Sequence, residues 1–489
     1  MTSSATELPP GVGVGVVHVS GLEPLLEPGV GLVDVVEIEP ETLWRGPPEL
    51  FAADRLFADV ERRVGAWKGP RLVHSVGFGV GGSARPAPAF LNALAATARG
   101  LLSPWVSAHL SVTHVDRDGT RMGAGFMLPP LQTRDGVGTA ARNLHAFAAA
   151  MPVPIAIENG VTYLAPRRGE LPDGEFLAAV LEAADCGLVL DLHNLWANEC
   201  NGREAAREVV RSLPLDRVWE IHLGGGFTLA GYWLDAHSGA VPEPVLELAA
   251  EVVPRCPNLR AIVFEIFPSF VPDFGVDAVA EQLVALRALR DRHARRIAAA
   301  DPATPRTPVP RPPEPDSDEA PIAVRDWDAA LTRLAIRDEP SSALERELCT
   351  DRSVALVRWM AWRFRASAIV ATLPALTRLL LLTDGAARLE SLLGGYFADH
   401  PPGGYASLEA IGFLDWLPGA CDLPNLDAVI AYEEGRLRAA LRGLPTLVRF
   451  DRDPRPLFEA LAMNRLPAEL PRGYFELELH PDPGREAAC

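Results

Sequence analysis

The amino-acid sequence predicts an α/β chain, a (β/α)8 TIM barrel followed by a second, mostly helical domain, on three observations. Over residues 11–296, short β-branched runs alternate with longer stretches of helical periodicity, which demands parallel strands joined by helical crossovers. Most of those runs stay apolar until their last residue or two, where a His, Asp or Glu stands. Beyond them, a Pro-rich stretch separates the alternating region from one in which helical spacing dominates.

The strand candidates, in order, are Val14 to Val19, Val33 to Glu39, Arg71 to Val76, Val106 to Ser111, Pro154 to Glu158, Gly187 to Asp191, Val218 to Leu223 and Ala261 to Ile266. Between them lie amphipathic segments at Glu49 to Val64, Phe90 to Leu102, Val137 to Ala150, Arg203 to Leu213 and Pro242 to Val253, and Val276 to Arg296 closes the series. Eight strands with eight helices make a barrel occupying residues 1–296. Residues 297–324, which include PATPRTPVPRPPEPDSDEAP, bury too little apolar surface to fold and read as an extended tether. Residues 325–489 show helical spacing at Trp327 to Ile336, Ser353 to Ala366, Leu373 to Leu382, Arg388 to Phe397 and Leu426 to Leu441, then two strands at Leu447 to Phe450 and Tyr474 to Leu479. The apolar stretch Ile369 to Leu382 is too short for a bilayer and carries Pro374 and Arg378, so it reads as buried helix and no membrane is expected as a partner. The tail after Pro481 is expected to fray.

Whole-chain properties narrow the function. At 489 residues and 48% hydrophobic, the chain has enough apolar surface for two or three cores. A formal net charge of −18, with no basic stripe beside the candidate site, repels nucleic acid. Cys186, Cys200, Cys256, Cys349, Cys421 and Cys489 form no CxxC pair, and Met1 to Pro10 lack a signal-peptide pattern, so a reducing cytoplasm is expected.

The chemistry is read from the strand ends, because barrels of this type place their active sites at the carboxyl ends of the strands. His74 ends LVHSV, His109 ends WVSAHL, Glu158 ends PIAIEN, Asp191 ends CGLVLDLHN, His222 ends VWEIHL and Glu265 ends AIVFEIF. Asp235 and His237, in WLDAHSG, follow the seventh strand and reach the same mouth. One such residue is ordinarily a hydrogen-bonded structural group. So many in one mouth are costly to desolvate unless they share cations. Imidazole and carboxylate without thiolate suit iron, manganese or zinc, and a set this large serves two or three ions.

These residues carry a family resemblance. His74 in HSVGFGVG, His109 in SAHL, Glu158-Asn159 in IENG, Asp191 and Asn194 in LDLHN, then EIHLGG, WLDAHSGAVPEPV and Glu265 together resemble the multinuclear non-heme iron-dependent oxidative enzymes, barrels that modify ribosomally made peptides. The resemblance spans about residues 11–267. It implies His74, His109, Glu158, Asp191, His193, Asn194, His222, Asp235, His237 and Glu265 as metal ligands or near-ligands, with Asp191 and His237 as the catalytic pair. It also implies two or three Fe ions of mixed valence, O2 as co-substrate and a precursor peptide as partner. Position 193 is ordinarily Asn in that family, which makes His193 an extra ligand or a change in which ion is held. The second strand, EIEPETLW, departs from the family's pattern at Glu37, Glu39 and Glu41. The C-terminal region, through YFADHPPGGYASLEAIGFLDWL and LDAVIAYEEGRLRAAL, resembles the partner proteins that present the precursor, so a separate partner is unnecessary. His400 and His480 there are single histidines with no assigned chemistry.

Competing readings are weaker. Gly77, Gly79 and Gly82 satisfy GxGxxG, but Pro86 and Pro88 stand where a phosphate-binding helix would begin. A divalent-metal sugar isomerase or epimerase would want a catalytic Lys or His, and Lys68, the only lysine, lies away from every strand end. The acidic charge argues against a metal-dependent nuclease, and an intact ligand set argues against a non-catalytic scaffold.

Overall fold

The computed structural model describes residues 13–117, 120–297, 322–467 and 469–481. Its strands in chain order are β1 (Gly13–Val17), β2 (Val35–Ile38), β3 (Arg71–Ser75), β4 (Val106–His109), β5 (Val112–Arg117), β6 (Thr120–Leu128), β7 (Ile155–Glu158), β8 (Gly187–Asp191), β9 (Val218–Gly224), β10 (Phe227–Leu229), β11 (Tyr232–Leu234), β12 (Ala261–Glu265), β13 (Thr446–Arg452) and β14 (Arg472–Leu479). Eight of them close a parallel barrel in the order β1-β12-β9-β8-β7-β4-β3-β2. These strands are buried on both faces, which is why they read as unbroken apolar runs. Gly15 is required in β1, since a Cβ there would lie 2.0 Å from the carbonyl oxygen of Val35 on β2. Alternate residues divide two cores. Val14, Val16, Val36 and Val73 pack outward against the helices, while Val17, Val35, Leu72, Ala156, Val189 and Val263 fill the barrel's interior.

The barrel's helices are α1 (Pro40–Leu43), α2 (Ala53–Val64), α3 (Pro88–Leu101), α4 (Arg134–Ala150), α5 (Asp173–Ala184), α6 (Leu192–Cys200), α7 (Ala206–Ser212), α8 (Glu243–Val252), α9 (Val271–Phe274) and α10 (Val276–Ile297). One expected unit is lacking: β1 reaches β2 through a single 3₁₀ turn, Glu23–Leu26, rather than a helix. Two antiparallel hairpins, β5–β6 after β4 and β10–β11 after β9, were not expected. Both rise from the carboxyl mouth of the barrel.

The C-terminal region contains α11 (Val324–Ile336), α12 (Ala343–Leu348), α13 (Ser353–Thr372), α14 (Pro374–Thr383), α15 (Ala386–Asp399), α16 (Ala406–Trp416), α17 (Leu426–Arg442) and α18 (Arg455–Ala462), with β13 and β14 paired antiparallel. The single helix expected over Ile369 to Leu382 is instead a junction, where α13 and α14 meet at a 103° bend. Pro374 is the first residue of α14, where its missing N–H costs nothing and its ring disfavours helix in the residue before it. No single helix among the described residues is long and apolar enough to cross a membrane. Residues 298–321, most of the expected tether, and the tail after position 481 lie outside the described residues.

This region packs in two parts. The helices α14 to α18 form their own core around Leu380, Phe413 and Val429. By contrast α11, α12 and the first half of α13 share one core with the mouth hairpins, joining Trp327, Leu331 and Val357 to Val112, Leu128, Tyr163 and Leu234. Trp327 is 1% exposed and donates its indole N–H to the carbonyl of Pro129 at 3.1 Å. Asp351 accepts from the backbone N–H of Ala165 at 2.8 Å, and Arg167 pairs with Glu347 at 2.6 Å. Arg45 and Arg55 of the barrel donate to the last carbonyls of α17, an end that attracts positive charge.

At this seam Asp328, fully buried, accepts from the Ser83 backbone N–H at 2.6 Å. Burial pushes its carboxyl up from 3.8 to about 6. Because the folded value is raised, the stability it contributes is complete below the unfolded value and is lost as pH rises through about 6. Asp328→Asn keeps the acceptor and removes the charge. Its stability relative to the parent should grow between pH 4 and 6 by up to ~3 kcal/mol and then level off, as read from denaturant unfolding at a series of pH values.

Candidate metal centre

Strand register sets the site. His109 on β4 lies beside Glu158 on β7, Glu158 lies beside Val189 on β8, two positions before Asp191, and Asp191 lies beside His222 on β9. His74 on β3 and Glu265 on β12 complete a ring at the carboxyl mouth.

Three adjacent subsites result, linked by two carboxylates. In the first, Glu158 Oε2 stands 2.9 Å from His109 Nδ1 and 3.2 Å from His74 Nε2, and the two Nε2 atoms of the histidines are 2.9 Å apart. His74 Nδ1 is fixed 2.8 Å from Ser107 Oγ. In the second, the other oxygen of Glu158 lies 3.2 Å from His222 Nδ1, which is 3.1 Å from Glu265 Oε1, with Asp191 completing the group. In the third, Asp235 Oδ1 lies 2.7 Å from His237 Nε2 and 3.2 Å from His193 Nδ1. Glu265 Oε2, 3.2 Å from His237 Nε2, joins the third subsite to the second. The middle subsite is dry, since Asp191 and His222 are fully buried, whereas His109, Asp235 and His237 keep some exposure.

Local folding aims these groups. Asp191 is the N-cap of α6 and accepts the Asn194 backbone N–H at 2.8 Å with one oxygen, leaving the other turned into the site. Asn159 clamps Asp191 from β7, accepting its N–H at 3.0 Å and donating to its carbonyl at 2.9 Å. Asn194 donates to the Asn159 carbonyl at 3.1 Å. His237 holds a left-handed φ of +41°, a conformation costly outside glycine and sustained where the surroundings enforce it. Its carbonyl accepts from Phe267 at 2.9 Å, which ties the DAH loop down.

The donor set fits a hard or borderline cation. Asp191 Oδ2 and Asn194 Oδ1 are buried without a hydrogen-bond partner among the described residues, and Glu158 Oε2, His237 Nε2 and Glu265 Oε2 crowd their neighbours at 2.7 to 3.2 Å without hydrogen-bond geometry. Buried polar atoms are rarely left so, and this many at one mouth fits the donor set of a cation site. Without metal, the cluster settles its charge internally. Burial favours neutral carboxyls, but the imidazoles of His109 and His222 outweigh it and hold Glu158 well below its usual range. Burial likewise opposes charge on His222, yet Glu265, Glu37 and Glu158 keep it protonated well above the ordinary value, and Asp235 and Glu265 do the same for His237. Asp191 is raised by burial and by Asp235, and Glu37 by burial and by Glu220, so these carboxyls favour the protonated form.

A cation must displace the protons of His222 and His237. Since both are held above the ordinary value of 6.5 and Asp191 also carries a proton, affinity should climb with pH through neutrality, and loading all three subsites at pH 7 should release at least ~three protons. Calorimetric titration in buffers of different ionisation enthalpy reads that number.

All ten expected metal residues gather at this mouth, though Asn194 contributes only an amide oxygen and Asp191 acts as helix cap as well. Beneath His222 lies a layer that the strand-end reading missed. Glu37 and Glu220, both fully buried, stand 3.3 and 3.5 Å from His222 Nε2, and Trp105 donates to Glu220 at 3.1 Å. Glu220 precedes His222 by two positions on β9, so the period of a strand places both inward. Such carboxylates orient a ligating imidazole through its second nitrogen. Of the other departures, Glu39 sits at the mouth, where burial and Glu265 push it up to about 7, and Glu41 accepts from Ser75 Oγ at 2.6 Å. The glycines of GFGVGG answer to packing. A Cβ on Gly79 would lie 2.3 Å from the Ser111 carbonyl oxygen and one on Gly77 would lie 2.7 Å from Glu41 Cγ.

Comparison with known proteins places this geometry. Residues 11–275 match the family described as RiPP precursor modification enzyme MbnB/TglH/ChrH. A UPF0276 protein of Streptomyces avermitilis is 34% identical over 185 residues, covering 37% of this chain and 38% of that protein. One from Chromobacterium violaceum is 31% identical over 220 residues, covering 45% of this chain and 75% of its own length. Among solved structures, a D-psicose 3-epimerase from Clostridium cellulolyticum H10 aligns at a TM-score of 0.37 and 12% identity, over 58% of this chain and 99% of that one.

Proposed function

This chain belongs to the RiPP precursor modification enzyme family MbnB/TglH/ChrH, and on that premise we propose that it is a multinuclear non-heme iron oxidase, using O2 to modify a residue of a ribosomally made precursor peptide. The observation that carries this reading is the chain of three subsites joined through Glu158 and Glu265, which suits two or three neighbouring ions rather than one. His74, His109 and Glu158 would hold one ion, Glu158, Asp191, His222 and Glu265 a second, and Asp235 and His237 with Asn194 or His193 a third. Bound iron would supply redox chemistry with O2 and Lewis acidity toward a substrate heteroatom, a cysteine thiolate being the softest partner.

The protein's own contribution is placement. Asp191 and His222 keep the middle subsite free of water, and the partly exposed His109 and His237 leave the outer two open to a peptide side chain. Glu39, held at about 7 between His109, His237 and Glu265, exchanges a proton near neutral pH beside that opening. The C-terminal helices supply peptide recognition. Supporting this, α11 and α13 build on the loops after β3, β4 and β7 that rim the mouth, so a bound peptide is presented without a separate partner. The isomerase reading loses ground. Lys68 is exposed ahead of β3, at the end of the barrel opposite the mouth, and bonds to the Gly65 carbonyl.

The test is mass spectrometry of peptides encoded in neighbouring reading frames after incubation with the iron-loaded protein, in air and under nitrogen. An O2-dependent mass change confined to one residue is expected. An iron-loaded protein that binds such a peptide and leaves it unaltered in air contradicts the proposal.

A further inference from the structure

We propose that His193 is not a metal ligand but the positioning residue of a Trp233–His193–Asp235 relay that aims the Asp235 carboxylate into the third subsite; this rests on the multinuclear reading of that site. The chemistry of the partners decides it. Trp233 Nε1 is 2.9 Å from His193 Nε2, and an indole N–H donates only. His193 Nε2 therefore offers its lone pair to the indole. A neutral imidazole arranged this way carries its proton on Nδ1, which is the atom 3.2 Å from Asp235 Oδ1. That is a donor aimed at a carboxylate. For Nδ1 to ligate, the proton would move to Nε2 and oppose the indole N–H at 2.9 Å, donor against donor.

The surroundings hold this arrangement. His193 is fully buried, and the Trp196 and Trp233 rings, 4.6 Å apart, bracket it at 6.3 Å each. Asn201, at the end of α6, accepts the Trp233 N–H at 2.8 Å and donates to its carbonyl at 3.0 Å, so α6 and β11 are cross-linked on either side of the relay. Any side chain at Gly226 would break the contact, since a Cβ would lie 2.8 Å from Trp233 Nε1 and 3.2 Å from His193 Nε2. Glu265 Oε2, 3.2 Å from His237 Nε2, remains as a donor beside Asp235 and His237, and the Asn194 amide oxygen is buried and unpartnered, its NH2 already given to Asn159. His193 takes the part that second-sphere carboxylates ordinarily take, with the roles reversed: the imidazole orients the carboxylate.

Two measurements test this. Selective ¹⁵N-histidine NMR of the metal-free protein should show His193 as the Nδ1–H tautomer, and Trp233→Phe, which keeps a ring and removes the N–H, should shift that signal toward the Nε2–H form. Titration with Zn²⁺, counted by elemental analysis, should find that His193→Phe keeps the parent's ion count but weakens the last ion ~10–100-fold, whereas His237→Ala loses that ion. An Nε2–H tautomer in the parent, or loss of one ion in His193→Phe as in His237→Ala, overturns the relay while leaving the metal centre standing. A parent that binds no Zn²⁺ overturns the metal reading, and the tautomer in the metal-free protein still decides whether the relay exists.

Discussion

Glu158→Ala is expected to remove two ions from the centre and to abolish turnover. One carboxylate serves two subsites: its Oε2 faces His74 and His109, its Oε1 faces His222, and the residue is 1% exposed. Truncation takes a donor from both positions together and leaves three imidazoles without the anion that organises them. Outer-shell substitutions typically cost ~10–100-fold in affinity or activity, so the loss of a bridging ligand should exceed ~100-fold. Glu158→Asp separates charge from reach, because a carboxylate shortened by one methylene retains the negative charge but cannot span both subsites. It should keep at most one of the two ions. Elemental analysis of the purified variants reads both outcomes, and a Glu158→Ala protein with the parent's metal count would show that the two subsites are independent.

The second large effect is expected at Trp327, remote from the chemistry. Trp327→Ala should cost ~3–5 kcal/mol, the range for deleting a buried aromatic side chain. It also strands the Pro129 carbonyl and removes the ring under the Arg167 guanidinium, 5.3 Å from its centroid. The consequence reaches the site. Trp327 shares its core with Leu234, the residue before Asp235, and with Tyr163, whose hydroxyl accepts the Asp235 backbone N–H at 3.2 Å. Thermal unfolding should therefore separate into two transitions, with the C-terminal helices melting first, and affinity for the third ion should fall. A single transition within ~1 kcal/mol of the parent would mean that the helices are held by other contacts.

The barrel was legible because its strands are buried on both faces, which leaves apolar runs whose polar ends stand out. The Gly187 to Asp191 expectation matches β8 residue for residue, and His109, Glu158 and Glu265 fall where their strands end, while β9 runs two residues past His222. The hairpins were illegible for the opposite reason. At three residues each, β10 and β11 are too short to show alternation, and β6 runs through Gly123 and Gly125, the latter at a left-handed φ of +70°. Glu37 stood out only as a departure of the second strand, and Glu220 lies inside β9 rather than at its end, although the two-residue period of β9 places Glu220 inward with His222. The contact between His193 and Trp233 joins residues forty positions apart across a helix and a hairpin, and no local pattern foretells it. The role of His193 rests on that contact, so the sequence alone leaves it open.

The most direct test of the central claim is elemental analysis of protein expressed with excess iron, paired with electron paramagnetic resonance of aerobic and reduced samples. Two or three irons per chain with a spin-coupled signal are predicted, as the shared carboxylates Glu158 and Glu265 require. Stoichiometric zinc, magnesium or manganese without iron would contradict the oxidase and favour hydrolytic or isomerase chemistry at the same mouth.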